Sequence, residues 1–496
     1  MRKLIKFTLI GLVLYLVLGA ILPFIRQPKI TPETAASFRP ESVYGTGPSG
    51  QRVDVISDNG EALAERVRLI SHARDRIILS SFDFRADSAG IQVLAALNDA
   101  AGRGVHVQVI VDGLAGLLRM EGNPLFYALS AQPTAEVKLY SPIRPWLPWT
   151  LMGRLHDKYL VVDETAFVLG GRNTYNFFLG EPDGWLNYDW DALVYSDGSA
   201  DGLHQVVDYF HSIWNYKESK PFHNDPALLD QPKVRAAQDS LSDLYAQMQR
   251  EHPDWFRDRD YVNSTLPAGT ITLLHNPIHS YAKEPTCYYQ MTEILARKGS
   301  RSVIHTPYLI CNRWMLRRLE RIAEQNDGSV LMTNSIANNG NPFGAMDYWA
   351  HKDKILDTGV EILEYDSGVS YHGKCARMDE RLTMIGSLNF DMRSAYIDTE
   401  LMLVIDSPEV NADMGREMAH YEDQCLVVTG VDSCTPPQGY TPREIERSKR
   451  ITMALMRVFL GPHAGVPGLE PLSAVSYPVF LHNSVVSRES PLFSPP

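Results

Sequence analysis

Two groups of residues with reactive side chains recur in the sequence with the same internal spacing. The first group begins at His156 and the second at His372. In each group a lysine lies two residues after the histidine, an aspartate seven residues after it and an asparagine seventeen residues after it. The two sets are His156, Lys158, Asp163 and Asn173, and His372, Lys374, Asp379 and Asn389. One copy alone would be weak evidence, but two copies in matching contexts indicate a shared function.

These residue types suit the cleavage of a phosphodiester without a metal. Histidine can attack phosphorus or transfer a proton near neutral pH, and a covalent phosphohistidine would divide one difficult step into two easier ones. The second histidine would protonate the leaving alkoxide. Lysine binds phosphate as a point charge, and the asparagines would help to stabilise the non-bridging oxygens. The five cysteines show no metal-ligand spacing, and we expect neither a metal nor a cofactor.

The sequence around each histidine predicts two strands joined by a short turn. Residues 158–163 and 166–169 are rich in strand-forming types, and residues 375–379 and 382–385 repeat the pattern. A histidine and a lysine two positions apart on a strand lie on the same face. Each pair should therefore line the wall of one pocket, and the small residues at 170–171 and 386–387 would let backbone approach a ligand closely.

The paired motifs resemble the H-K-D motifs of the phospholipase D superfamily, and those of its bacterial cardiolipin synthase-like branch in particular. The resemblance covers about residues 53–430, including apolar strands before each motif. It implies an α/β fold of two duplicated phospholipase D-type α/β/α domains packed pseudo-symmetrically, so that one chain can act as a monomer. It also implies a phosphatidyltransferase or phosphodiesterase that acts on a membrane phospholipid, with a glycerol-type alcohol or water as acceptor.

The resemblance further implies a role for each site residue. His156 is expected to be the nucleophile and His372 the general acid and base. A carboxylate should hold each histidine in one tautomer: Glu400 matches that position after the second motif, and Asp191 is the expected counterpart after the first. Asp163 and Asp379 are expected to be structural. Taken singly, each residue has an ordinary interpretation as a core, surface or ion-pair residue, and only the repeat favours a catalytic one.

Two other functions are compatible with the same residues. A hydrolase or nuclease could use the same pocket, although the formal net charge of −12 argues against nonspecific binding of nucleic acid. A catalytically inactive lipid-binding scaffold is the second, but degenerate copies usually lose a motif residue and both copies are complete here. We therefore expect an enzyme and no nucleic-acid partner.

The N-terminus predicts a membrane anchor. Residues 7–25 are nineteen consecutive uncharged and mostly apolar positions, which is long enough to span a bilayer. A cleaved signal peptide is the alternative, but its apolar region is normally shorter and ends in small residues. The flanking basic residues are balanced and do not decide the orientation. The short N-terminal tail favours catalytic domains on the outer face of the cell membrane.

Composition and pattern divide the remaining chain. Its 496 residues, 44% apolar and 21% charged, are typical of a globular chain of more than one domain. Alternating helices and strands predict α/β layers. The sequence predicts six segments: an anchor at 1–26, a tether at 27–52, a first domain at 53–222, a helical connector at 223–268, a second domain at 269–430 and a C-terminal helix and tail at 431–496. An outside location would permit a Cys425–Cys434 bridge, and free thiols are equally compatible with the count.

Two further segments have apolar character. The loop before the first motif, residues 141–153 and here called the tryptophan loop, contains two tryptophans and three prolines. It would suit either the headgroup boundary of a membrane or packing on its own domain. A capping pattern at Thr441, Pro442 and Glu444 predicts a helix from there that ends at residues 461–462. This helix should pack on the domain, with a membrane surface as the alternative.

Overall fold

The computed structural model describes residues 2–45, 47, 49–180, 186–196, 201–326 and 328–460. Within these residues the longer strands form two nine-stranded sheets, one around each motif. Helices pack against both sheets. The predicted α/β class and the duplication of the domain are both confirmed.

The first sheet contains the first motif at its centre. Its strands lie side by side in the order Leu266–Ala268, Gln51–Ile56, Asp191–Ser196, Ala166–Gly170, Tyr159–Val162, Arg76–Ser81, His106–Asp112, Ala135–Tyr140 and Ser219–Pro221. Three neighbouring strands in this order, beginning with Arg76–Ser81, run parallel, and the other pairs are antiparallel.

The second sheet repeats that order around the second motif. Its strands are Ile271–His275, Leu401–Asp406, Leu382–Gly386, Cys375–Met378, Ser302–His305, Val330–Asn334, Glu361–Tyr365, Cys425–Gly430 and Ser433–Thr435. The strand pair that follows each histidine therefore occupies the same place in both sheets. The parallel strand Val330–Asn334 is buried along its whole length, which is typical of a strand covered on both faces.

The longer helices alternate with these strands, as the sequence predicts. They are Arg2–Ile25, Asn59–His72, Ser88–Gly102, Asp201–Trp214, Pro232–Glu251, Thr286–Leu295, Arg313–Gln325, Pro342–Leu356, Pro408–Glu422 and Arg447–Leu460. Several begin at capping side chains: Asp58 accepts from the backbone N–H of Glu61, and Asn312 accepts from that of Met315. Such bonds satisfy backbone donors that the first helical turn leaves free.

The two domains share one apolar core. Phe167 and Leu169 of the first sheet and Ile385 and Leu403 of the second belong to the same buried cluster. One short parallel strand pair, Asn187–Tyr188 with Ser370–Tyr371, and one bridge, Leu155 with Thr399, add backbone contacts between the domains. The motifs are consequently held in one rigid frame instead of two independent ones.

The segment predicted to be a tether lies packed along the second domain. Val43 is fully buried in the second domain's core. The backbone N–H of Gly45 donates to Asp406 over 2.6 Å, and Thr34 donates to Glu284 over 2.6 Å. The polar and proline-rich composition of residues 27–52 predicts a free linker. Composition, however, does not show which distant residues a segment will contact in the folded chain.

The C-terminal helix begins later than its capping pattern predicts, at Arg447. Tyr440 and the backbone N–H of Arg443 both bond Asp366, the latter over 2.8 Å. These contacts hold residues 440–443 in a non-helical conformation. The predicted helix end at 461–462 and the tail lie outside the described residues. All five cysteines are free thiols, and strand pairing places Cys434 opposite Val428 instead of Cys425.

Candidate active site

The two motif histidines line one cavity between the domains. The cavity has a volume of about 240 Å³ and is lined by His156, His372, Asn173 and Asn389, together with aromatic and charged residues from both domains. Phe82 contacts the His156 ring edge-on at a centroid distance of 5.4 Å, and Phe178 contacts His372 in the same way at 4.9 Å. The rings are thus held by apolar neighbours and face a common space.

His156 is oriented by a carboxylate from the second domain. Its Nδ1 lies 2.9 Å from Oε1 of Glu400, whose other oxygen accepts from the Ser387 hydroxyl. A carboxylate oxygen that accepts from Nδ1–H leaves Nε2 with a free lone pair. Burial and the neighbouring Lys158 lower the pKa of His156 well below its usual value. The ring is therefore neutral at pH 7, as a nucleophile must be.

His372 is oriented by a carboxylate from the first domain. Its Nδ1 lies 2.6 Å from Oδ2 of Asp189. Burial and the charge of Lys374 lower the pKa of His372 to about 3. Burial alone would raise the pKa of Asp189, but Lys374 and His372 outweigh burial and lower it. The two carboxylates are thus crossed between the domains, and each histidine depends on the opposite domain for its tautomer.

The motif lysines are almost fully buried beside the histidines. Lys158 is 2% exposed and Lys374 is 1% exposed. Lys158 donates to the carbonyl of His156, and Nζ of Lys374 lies 3.1 Å from Nε2 of His372. Burial lowers the pKa of Lys158 to about 7 and that of Lys374 to about 8. Nζ of Lys374 lies 3.8 Å from Oδ2 of Asp189, an oxygen that His372 already shares. A bound anion such as a phosphodiester would favour the protonated forms of both lysines.

The motif asparagines and aspartates have different surroundings. Oδ1 of Asn173 accepts from the backbone N–H of Asp83 over 3.3 Å, so the amino group of Asn173 points away from Asp83. Oδ1 of Asn389 has no hydrogen-bond partner among the described residues. Asp163 accepts from three successive backbone N–H groups, at residues 74–76, and Asp379 accepts from that of Arg301 over 3.0 Å. Both aspartates lie in turns with positive φ and touch neither histidine, which agrees with a structural role.

Comparison with known proteins identifies the family. The family described as cardiolipin synthase, PLD-like domain matches residues 67–214 and 291–421, which is more than half of the chain. The chain belongs to the phospholipase D superfamily. Its two matched stretches contain the two motifs and the two sheets that carry them.

Individual relatives within the phospholipase D superfamily agree with this placement. The chain is 27% identical to cardiolipin synthase C of Escherichia coli strain K12, over 70% of this chain and 80% of that protein. It is 26% identical to a cardiolipin synthase of Alkalihalophilus pseudofirmus, over 70% of this chain and 61% of that protein. The solved structure of phosphatidylserine synthase from Haemophilus influenzae covers 86% of this chain and 98% of its own, with a TM-score of 0.58 and 14% identity, which shows the shared fold.

Asp191 does not take the position that the sequence comparison with the superfamily suggested. Its Oδ2 lies 2.9 Å from Arg66 and 3.3 Å from Arg172, and its side chain is fully buried between them. It is the first residue of the strand Asp191–Ser196, whose position in the sheet directs it away from the cavity. Asp189, two residues earlier, reaches His372 instead. Glu400 also differs from expectation, because it contacts the histidine of the first motif.

Replacing Asp191 with asparagine should destabilise the fold without altering turnover by the folded enzyme. The change leaves two buried guanidinium groups without their anion, which costs about 3–5 kcal/mol of unfolding free energy. Urea denaturation followed by circular dichroism would measure this loss, and turnover at low temperature would measure activity. A variant that keeps its stability but loses turnover would contradict a structural role for Asp191.

Sequence reasoning missed three residues of the site. Asp189 follows no spacing rule relative to either motif. Arg85 donates to Asp83 over 2.5 Å and stacks its guanidinium on Tyr175 at 3.8 Å. Arg393 pairs with Asp398 over 2.8 Å. Both arginines line the cavity, one from each domain, and add positive charge at its wall.

The low pKa of His372 predicts a pH-dependent stability. An unfolded histidine has a pKa of about 6.5, so between about pH 6.5 and pH 3 the unfolded chain binds a proton that the folded chain does not. Stability should therefore fall as the pH decreases through this range, by up to about 1.4 kcal/mol per pH unit for this group. His372→Asn should reduce that slope in urea titrations at pH 7 and pH 5. His106→Asn, at an exposed position, is the matched control and should keep the wild-type slope. Equal slopes in His372→Asn and wild type would contradict the low pKa assigned to His372.

Proposed function

We propose that the protein is a membrane-anchored phosphatidyltransferase of the cardiolipin synthase type that works through a phosphohistidine. The observation that carries the proposal is the single cavity with two neutral histidines, each oriented by a carboxylate of the opposite domain. The names of the relatives in two bacteria support phospholipid as the substrate class.

The first chemical step transfers the phosphatidyl group to the enzyme. Nε2 of His156 attacks phosphorus, a P–N bond forms, and the P–O bond to the leaving alcohol breaks. His372, which takes up a proton from solvent when the phosphodiester binds, donates that proton to the leaving oxygen. A phosphodiester bound beside Lys158 and Lys374 brings negative charge next to His372, which raises its proton affinity above that in the empty cavity. The same charge is stabilised by the two ammonium groups and the asparagine side chains.

The second step reverses the first with a different alcohol. Neutral His372 removes a proton from the acceptor hydroxyl, the acceptor oxygen attacks phosphorus, and the P–N bond to His156 breaks. If the acceptor is the hydroxyl of a second phosphatidylglycerol, the products are cardiolipin and, from the first step, glycerol. Water as acceptor gives phosphatidic acid instead.

The two carboxylates support this division of roles. Asp189 keeps its charge and can stabilise the imidazolium that forms when His372 carries a proton. Burial raises the pKa of Glu400 to about 8, so at neutral pH Glu400 is mainly protonated and supplies orientation with little charge. The environment of Glu400 therefore suits His156 better as the nucleophile, which attacks in its neutral form, than as the acid, which must hold a proton.

The N-terminal helix supports the anchor. Among the described residues, Ile5–Ile25 is one helix long and apolar enough to cross a membrane, with a mean hydropathy of 2.5 and only 11% of its span buried. Its end is fixed to the second domain: Phe24 is 4% exposed within that domain's core, and Gln27 accepts from Asn312 over 2.6 Å. This packing against the second domain supports an anchor over a cleaved signal. We place the catalytic domains on the outer face, and alkaline phosphatase fused after residue 460 would be active only there.

Purified full-length protein in nanodiscs that contain phosphatidylglycerol tests the activity. Mass spectrometry should detect cardiolipin and an equal amount of glycerol. Phosphatidic acid without cardiolipin would show a hydrolase, and cleavage of single-stranded DNA with no lipid product would show a nuclease. Lipid binding without any product would overturn the proposal and would favour a catalytically inactive lipid-binding scaffold.

A further inference from the structure

The N-terminal helix touches the tryptophan loop, and the contact depends on one glycine. A Cβ on Gly19 would lie 2.2 Å from Cγ of Pro148, which is closer than atoms can approach. The hydroxyl of Tyr15 donates to the carbonyl of Trp146 over 2.7 Å. At 1.5 Å per residue, Gly19 lies about 9 Å from the end of the helix at Ile25. The loop therefore contacts the helix well inside its apolar span.

The loop presents large apolar side chains beside that helix. Trp146 is 66% exposed and Trp149 is 37% exposed. Leu117 and Leu118 are also exposed, and they follow the parallel strand next to the one that leads into the loop. Exposed apolar residues of this kind mark interaction surfaces, and the two tryptophans lie on the loop that contacts the N-terminal helix.

The middle of the loop satisfies part of its own backbone hydrogen bonding. Its three prolines lack an N–H. The carbonyls of Leu147 and Pro148 accept from backbone N–H groups of the loop, that of Thr150 accepts from Arg154 over 3.3 Å, and that of Trp146 accepts from Tyr15. Hydrocarbon offers no hydrogen bonds, so a segment that enters it must satisfy its own backbone.

The loop also connects to the cavity. Arg393, which lines the cavity, donates to the carbonyl of Met152 over 3.3 Å. The chain reaches His156 four residues later. A lipid held at the loop is therefore next to the wall of the site where its phosphate would react.

We propose that the tryptophan loop, with Leu117 and Leu118, is a membrane-insertion surface that enters the same lipid leaflet as the end of the N-terminal helix and delivers phospholipid to the cavity. Its occupant is the acyl-chain and headgroup boundary of the leaflet, because the surface is continuous with a membrane-spanning helix. Only the activity measurement below rests on the proposed function; the position of the loop is measured without it.

Fluorescence quenching locates the loop. Full-length protein in nanodiscs whose lipids carry bromine on the acyl chains should lose tryptophan emission relative to ordinary lipids. The Trp146→Phe, Trp149→Phe double variant should lose most of that difference. Trp255→Phe, a partly buried tryptophan stacked on His252 far from the loop, should keep it. An unchanged quenching difference in the double variant would overturn the proposal.

A pair of glycine variants tests the link to catalysis. Gly19→Leu should lower turnover of long-chain phosphatidylglycerol in nanodiscs about tenfold, the effect of displacing one large apolar contact, and should leave turnover of dissolved dihexanoyl phosphatidylglycerol unchanged. Gly11→Leu makes the same change on the same helix where a Cβ meets nothing within 4 Å, and it should alter neither. Equal effects of the two variants, or equal losses on both substrates, would contradict the delivery role. Absence of wild-type turnover together with loop quenching would refute the proposed function and leave the insertion surface standing.

Discussion

Replacing His156 with asparagine should lower turnover of phosphatidylglycerol by about 10⁴-fold or more, because removal of a nucleophile eliminates the covalent route. His372→Asn should have a similar effect for a different reason, since the leaving alkoxide and the acceptor lose their proton carrier. Steady-state turnover by itself does not separate these two roles.

A phosphatidyl ester of 4-nitrophenol separates them, since nitrophenolate leaves without a proton. His372→Asn should release a burst of about one nitrophenolate per enzyme and then stall at the phosphohistidine. His156→Asn should give no burst. His106→Asn, at an exposed position on the first sheet, is the control and should match wild type. A burst from His156→Asn and none from His372→Asn would reverse the two roles, and no burst from either would exclude a covalent intermediate.

Neutralising either crossed carboxylate should have the second largest effect. Asp189→Asn offers Nδ1 of His372 an amide in place of a carboxylate, which allows the wrong tautomer and removes a charge that stabilises imidazolium. We expect a loss in turnover of about 10²- to 10⁴-fold. Glu400→Gln should cost less than Asp189→Asn, because Glu400 supplies orientation with little charge.

The burst assay also tests whether each carboxylate supports the histidine of the opposite domain. Asp189→Asn should stall after a burst, as His372→Asn does, although Asp189 belongs to the domain of the first motif. Glu400→Gln should slow the burst itself. Asp189→Asn combined with His372→Asn should be no worse than His372→Asn alone, as expected for residues that act as a unit. Asp191→Asn, two residues away, is the matched control, and an additive double variant would argue against the pairing.

Much of this site follows from the sequence because it depends on local spacing. His156 with Lys158, and His372 with Lys374, are placed by the strands that they introduce, and strand geometry is predictable from residue pattern. The alternation of helices with strands, which includes the helices Asn59–His72 and Arg313–Gln325, also follows from the sequence pattern. Duplication of the fold follows from duplication of the motif.

The partners of the histidines could not be predicted in the same way. Glu400 reaches His156, and Asp189 reaches His372, only because the two domains pack face to face, and no spacing along the chain encodes that contact. Asp191 was the natural choice because it lies in an apolar strand after the first motif, yet two buried arginines take its carboxylate. The polar segment at 27–52 likewise acquires its fixed position from partners distant in sequence.

The crossed carboxylates also bear on how the enzyme is made. Domains of a nascent chain generally fold in order from the N-terminus, so His156 and its sheet can form before Glu400 has been translated. During that interval His156 lacks its orienting carboxylate and the cavity lacks its second-domain wall, whereas Asp189 is already in place when His372 is made. The site is therefore complete only after the second domain has docked, and a partly synthesised chain lacks an oriented His156.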